Sequence, residues 1–115
     1  MSKKKSELSN LVGFIDKGTE FNGELNFTGS FRIDGIFKGK ISSDSSLLIG
    51  ENGEVEADIS IGSVYINGLV KGKIIAKDRV EVHNKGRIFG TIETSILVIE
   101  EGAYFEGNCI MNTKK

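Results

Sequence analysis

Apolar residues fall into three columns that return at nearly constant spacing along the chain. The first is an apolar-x-apolar pair: Phe31/Ile33, Leu47/Ile49, Val64/Ile66, Val80/Val82 and Leu97/Ile99. Its members alternate between a shorter and a slightly longer step. Gly13/Ile15, a longer step of 18 residues before Phe31/Ile33, fits as an earlier copy. The second column is an apolar residue followed two positions later by a small one: Phe21/Gly23, Phe37/Gly39, Val55/Ala57, Val70/Gly72, Ile88/Gly90 and Phe105/Gly107. The third comes two positions later still: Leu25, Ile41, Ile59, Ile74, Ile92 and Cys109. The last two columns therefore step together, and their steps vary only slightly more than those of the first. Six copies of a unit of about 17 residues cover residues 13–111, and such a period marks a repeat architecture.

Within each copy apolar and polar residues alternate, as in Val55-Glu56-Ala57-Asp58-Ile59-Ser60-Ile61. That is strand periodicity with one face turned inward. Turn residues lie between the columns: Asp34-Gly35, Glu51-Asn52-Gly53, Asn67-Gly68 and Asn84-Lys85-Gly86. Such pairs would also suit hairpins, but a meander has no reason to repeat column by column. The pattern predicts an all-β fold, a single parallel β-helix or β-solenoid of about six triangular rungs, with three short strands per turn. Rungs stacked at the sheet spacing of about 4.8 Å make a rod about 29 Å tall. The small residues of the second column are expected to leave room where the triangle is narrow. Residues 1–12 lie outside the repeat as a flexible N-terminal tail, and 112–115 form a short C-terminal tail.

Composition sharpens this picture. The 115 residues include 15 glycines and no proline. Glycine supplies corners, and proline would remove a ladder donor from a strand paired on both sides. The net charge of −1 lacks the basic excess of a nucleic-acid binder. Lys3, Lys4 and Lys5 are followed by polar residues, not by a signal-peptide core. A single cysteine, Cys109, excludes an internal disulfide framework and fits a reducing cytoplasm.

Candidate chemistry is sparse. His83, the one histidine, reads as a surface corner with no nucleophile spaced to pair with it. One His and one Cys cannot build a zinc site, and Cys109 reads as a buried small hydrophobe. Gly68-Leu69-Val70-Lys71-Gly72-Lys73 is one residue short of a phosphate loop, and Ile74 stands where Ser or Thr is needed. Asp44 among serines reads as a solvated corner, and Glu54, Glu56 and Asp58 as a solvated face. No catalytic, cofactor or metal residues are assigned.

The stretch Phe31-Arg32-Ile33-Asp34-Gly35-Ile36-Phe37-Lys38-Gly39-Lys40-Ile41 resembles a bactofilin signature, and Val64 to Ile74 repeats its design. Val82 to Ile92 and Leu97 to Gly107 are similar to that family's later rungs. The resemblance implies a right-handed coil, assembly without nucleotide and non-polar filaments. It also implies a cytoplasmic role in cell shape, polarity or envelope growth, often as a scaffold for peptidoglycan enzymes. Many members carry a longer disordered C-terminal tail, which residues 112–115 do not supply. The alternative is a β-helix enzyme or carbohydrate-binding module of acyltransferase-like design.

A solenoid whose end rungs are uncapped exposes its core in cross-section. The expected C-terminal polymer interface is Phe105, Cys109, Ile110 and Met111, and the N-terminal one is Leu11, Val12, Phe14, Ile15 and Phe21. Lys3, Lys4, Lys5 and Leu8 are candidate contacts to an anionic inner-membrane surface, since each basic residue contributes about 1 kcal/mol there.

Overall fold

A computed structural model describes residues 11–112. The strands are β1 (Leu11–Ile15), β2 (Glu20–Asn26), β3 (Ser30–Ile33), β4 (Ile36–Ser42), β5 (Ser46–Ile49), β6 (Glu54–Ile66), β7 (Leu69–Val82), β8 (Arg87–Thr94), β9 (Leu97–Ile99) and β10 (Tyr104–Met111). All pairings are parallel, and each joins a strand to the one a full turn earlier or later. Two ladders result. One runs β1, β3, β5, the C-terminal half of β6, the C-terminal half of β7, then β9. The other runs β2, β4, the N-terminal half of β6, the N-terminal half of β7, β8, then β10.

The register reproduces the sequence columns. Gly13, Phe31, Leu47, Val64, Val80 and Leu97 stack on one another, as do Ile15, Ile33, Ile49, Ile66, Val82 and Ile99. Phe21, Phe37, Val55, Val70, Ile88 and Phe105 form the next file, and Leu25 through Cys109 the third. The middle members of every file are buried. Each such Val, Leu, Ile or Phe contributes about 1.5–3 kcal/mol by leaving water. The side-chain period of two fixes which residues enter this core, because a one-residue slip would turn all of them outward.

Charge on the flanks reinforces the register. Outside the core, Glu24, Lys40, Asp58 and Lys73 lie on successive rungs, beside Asn22, Lys38, Glu56 and Lys71. Opposite charges on neighbouring strands favour this stacking, and skipping a rung would put like charges together.

Three expectations need correction. The coil already includes Leu11 and Val12, the two residues before the repeat seen in the sequence, and the rest of the expected N-terminal tail lies outside the described residues. The turn is not three separate strands, since β6 and β7 run through a corner as continuous strands of 13 and 14 residues. The glycines of the second column are not there because the triangle is narrow. Gly23, Gly39, Gly72, Gly90 and Gly107 bend the longer ladder with φ of 131–148°, a region side chains avoid. A Cβ on Gly39 would also fall on the Gly23 carbonyl oxygen. Ala57 occupies this column on the third rung without a positive φ.

The corner after the longer ladder varies most. On the third rung it shrinks to the neighbourhood of Gly62, where a Cβ would strike the Asp44 carbonyl. The fourth-rung Lys77 reaches across this notch to Asp44 on the second, at 2.9 Å.

Candidate functional site

Among the described residues, the side chains capable of chemistry do not converge. His83 lies half-buried on the flank, its Nε2 3.1 Å from Glu81 Oε1. Arg79 donates to the other Glu81 oxygen at 2.7 Å. Burial pushes the Glu81 carboxyl up, but the hydrogen bonds and charges of His83 and Arg79 outweigh it and hold the group below its ordinary value. The glycine-containing stretch Gly68 to Lys73 enters extended strand β7, not a loop opening a helix. Glu54, Glu56 and Asp58 are exposed as expected. A shallow groove of about 850 Å³ crosses the notch at Gly62, lined by Ser43, Asp44, Ser45, Ser60, Ile75 and Lys77 among others. Two of its hydroxyls are committed to the fold. Ser43 Oγ donates to the Phe27 carbonyl at 2.7 Å, and Ser45 Oγ accepts the Gly29 N–H at 3.0 Å.

Both ends of the rod gather apolar side chains. At the N-terminal end, among the described residues, β1 pairs only with β3 and β2 only with β4, so these residues leave one edge of each open. Phe21 is 40% exposed although the inner members of its file, Phe37, Val55, Val70 and Ile88, are buried. Leu11, Leu25 and Phe27 beside it are half-buried. Gly13 leaves space in this first rung that the ring of Phe31 fills from the second. At the C-terminal end, among the described residues, β9 pairs only with β7 and β10 only with β8. Leu97, Phe105, Cys109 and Met111 close their files there, with Ile99 at 43% exposure. The Cys109 thiol points at Met111 Sδ, 3.6 Å away. No helix occurs among the described residues, so none of them caps an end with a helix.

The geometry sorts the residues expected at these ends. Phe105, Cys109 and Met111 occupy the C-terminal cross-section, and Leu11, Ile15 and Phe21 the N-terminal one. Ile15 is already covered, at 6% exposure. Ile110 pairs with Glu93 and Phe14 with Arg32, in outward columns, so both lie on the flanks. Val12 is the extra residue of a bulge in β1 and is exposed. Cys109 is exposed, which corrects its reading as a buried hydrophobe: its column ends with it and no rung covers it. Leu25, Leu97 and Ile99 were missed as end residues. Their signal was present, since each is the first or last member of an apolar column. Lys3, Lys4, Lys5 and Leu8 lie outside the described residues.

The coil itself is shared with known proteins. Residues 13–110 match the family model described as "Bactofilin: Polymer-forming cytoskeletal". Bactofilin BacO of Myxococcus xanthus (strain DK1622) is 40% identical over 101 residues, 88% of this chain and 80% of that protein. Bactofilin BacP of the same organism is 28% identical over 90 residues, 78% of this chain but 38% of the relative. The cryo-EM reconstruction of Thermus thermophilus bactofilin double helical filaments superposes with a TM-score of 0.82 at 29% identity, covering 88% of this chain and all of that one. The solid-state NMR structure of the cytoskeletal bactofilin BacA gives 0.76 at 28% identity, covering 90% and 99%. The family match over nearly the whole coil and the 40% identity to BacO place the chain among its relatives: it belongs to the bactofilins, a family of polymer-forming cytoskeletal proteins.

Proposed function

We propose that this bactofilin is a non-enzymatic subunit that joins others end to end, without nucleotide, into filaments that scaffold the bacterial cell. The observation that carries this reading is the pair of ends, each with apolar residues in cross-section and a strand edge that no described residue pairs. Burying apolar ends gains about 25 cal/mol per Å², and continuing the ladder satisfies the backbone groups that would otherwise template another chain. Coaxial contact does not close into a ring, so it propagates. The contact residues are Leu11, Phe21 and Leu25 at one end and Ile99, Phe105, Cys109 and Met111 at the other. Like ends meet in this reading, which gives a filament without polarity, and the coil is right-handed. The reading extends to the membrane. Lys3, Lys4, Lys5 and Leu8, repeated along a filament, would hold it on an anionic inner leaflet by avidity.

Sedimentation and electron microscopy of the purified chain, with no nucleotide added, test assembly. Filaments are expected, and a chain that stays monomeric at tens of micromolar overturns the reading. Filaments should also sediment with anionic vesicles and lose that property on deletion of residues 1–7. Unchanged co-sedimentation would remove the tail from the proposal.

A further inference from the structure

The groove at the short third-rung corner runs along the rod, across the strands. Its floor is one outward column, Asn26, Ser42, Ser60 and Ile75, from the first rung to the fourth. Phe27 stands at the first-rung end, half-buried, its ring tilted against Phe31 with centroids 5.2 Å apart. Asp44 and Lys77 line the groove further up, and their bridge is largely exposed. Asp78, next to Lys77, is exposed as well.

The chain enters the coil beside this groove. Leu11 pairs with Ser30, and Ser30 follows the corner Phe27-Thr28-Gly29. Leu11 therefore lies one rung below the exit of that corner, on the side of the rod that carries the groove. Ten residues precede it, Met-Ser-Lys-Lys-Lys-Ser-Glu-Leu-Ser-Asn. From Leu11 to the fourth-rung corner is four rung steps, about 19 Å, and six extended residues cover about 20 Å. The segment is thus long enough to run the length of the groove. Laid there, Leu8 comes about 10 Å up, where Phe27 offers apolar surface. Ser6 points to the same side as Leu8, since extended side chains alternate. Lys5, Lys4 and Lys3 follow at the upper corners, where Asp44 and Asp78 outnumber Lys77.

We propose that the groove seats the chain's own N-terminal segment, residues 3–8, with Leu8 on Phe27 and the lysines beside Asp44 and Asp78. A tether this short supplies a local concentration on the order of 1 mM, so a contact too weak for a free peptide is still populated. The choice of this occupant over a separate chain rests on that tether, on the reach and on the charges. A seated segment is not available to lipid. The single subunit therefore holds back Leu8 and its lysines, and a filament, presenting many segments to one surface, draws them out by avidity. This regulatory part rests on the reading that the segment binds an anionic membrane, whereas the seat itself does not.

The test uses full-length protein in a Cys109→Ser background. Ser6→Cys with Ser60→Cys is oxidised with copper phenanthroline and the product read by mass spectrometry. A disulfide within one chain is expected, at least about tenfold faster than for Ser6→Cys with Glu56→Cys, which lies on the same strand and rung but outside the groove. Ser42→Arg, a cation on the groove floor, should remove that advantage. Without the cysteines, Ser42→Arg should co-sediment with phosphatidylglycerol–phosphatidylcholine vesicles at about threefold less lipid than the parent. Equal rates for the two cysteine pairs overturn the seat, whether or not Ser42→Arg folds. So does a disulfide formed only between chains, which would give the groove to a second copy. A selective link within the chain, with vesicle binding by neither protein, upholds the seat and removes the membrane reading. Vesicle binding that is equal in both proteins yet lost on deletion of residues 1–7 upholds the membrane reading and overturns its control by the groove.

Discussion

The ring of Phe21 lies flat on that of Phe37, centroids 5.4 Å apart and planes 8° from parallel, yet Phe37 is fully buried and Phe21 is 40% exposed. Phe37 lies between Phe21 and Val55, whereas among the described residues Phe21 has a rung on one side alone. At the far end of the same file Phe105 stands in the mirror position, covered from one side by Ile88.

A charge placed in either terminal ring position should stop assembly there. Phe105→Arg and Phe21→Arg are each expected to abolish filaments by electron microscopy and light scattering while keeping a β-type circular dichroism spectrum. If like ends meet, each variant stops at a dimer joined through its intact end, and mixing the two does not restore filaments. Asn52→Arg, at an exposed mid-rod turn, should polymerise normally. Filaments from Phe105→Arg would show that assembly bypasses the C-terminal rung.

Cys109 reports on the same junction from inside. It is exposed on the single rod, although partial burial pushes its thiol up from the ordinary value and so lowers its thiolate fraction near neutral pH. Maleimide labelling at pH 7 should be slow but complete in Phe105→Arg. In wild-type filaments it should fall by about tenfold or more, because only filament ends and free subunits offer the thiol. Equal labelling in both states would place Cys109 outside the contact.

The glycine bend has a built-in comparison. Gly39→Ala puts a side chain at φ 137° and against the Gly23 carbonyl, and should cost at least about 1–3 kcal/mol. Ala57→Gly, in the same column without the positive φ, should cost only about 0.5–1 kcal/mol through chain entropy. Urea unfolding of both in the Phe105→Arg background measures the difference. Equal losses would mean that the backbone of this column adapts freely.

Stability should fall in acid partly through Glu81. Its carboxyl is held below the ordinary value in the folded chain despite partial burial, because His83 and Arg79 bond to its charged form. A depressed carboxyl stabilises the fold above its unfolded pKa, and that contribution disappears as pH drops through the folded value. Glu81→Gln should therefore reduce the melting temperature near pH 6 and converge with the parent below the ordinary carboxylate range. Melting curves that stay parallel down to pH 3 would contradict the linkage.

The sequence alone determined the coil and most of its core. Parallel stacking places each residue on its counterpart one turn away, so burial writes itself into the chain as columns. Phe37, Val55, Val70 and Ile88 are legible because each needs an apolar neighbour above and below. The same logic located the ends, where Phe21 and Phe105 are the first and last members of a file. It could not say which way each side chain of a terminal segment points. Phe14 and Ile110 belong to apolar runs, and only their register against Arg32 and Glu93 turned them outward. The groove floor from Asn26 to Ile75 left no apolar column, because solvent-facing positions are not selected to resemble one another from rung to rung. Corners were equally silent: Lys77 meets Asp44, two rungs earlier, because the third-rung corner is short enough to be crossed. Local alternation decides what is inside a rod. What its surface brings together depends on how far each corner carries the chain, and that distance is set by tertiary packing.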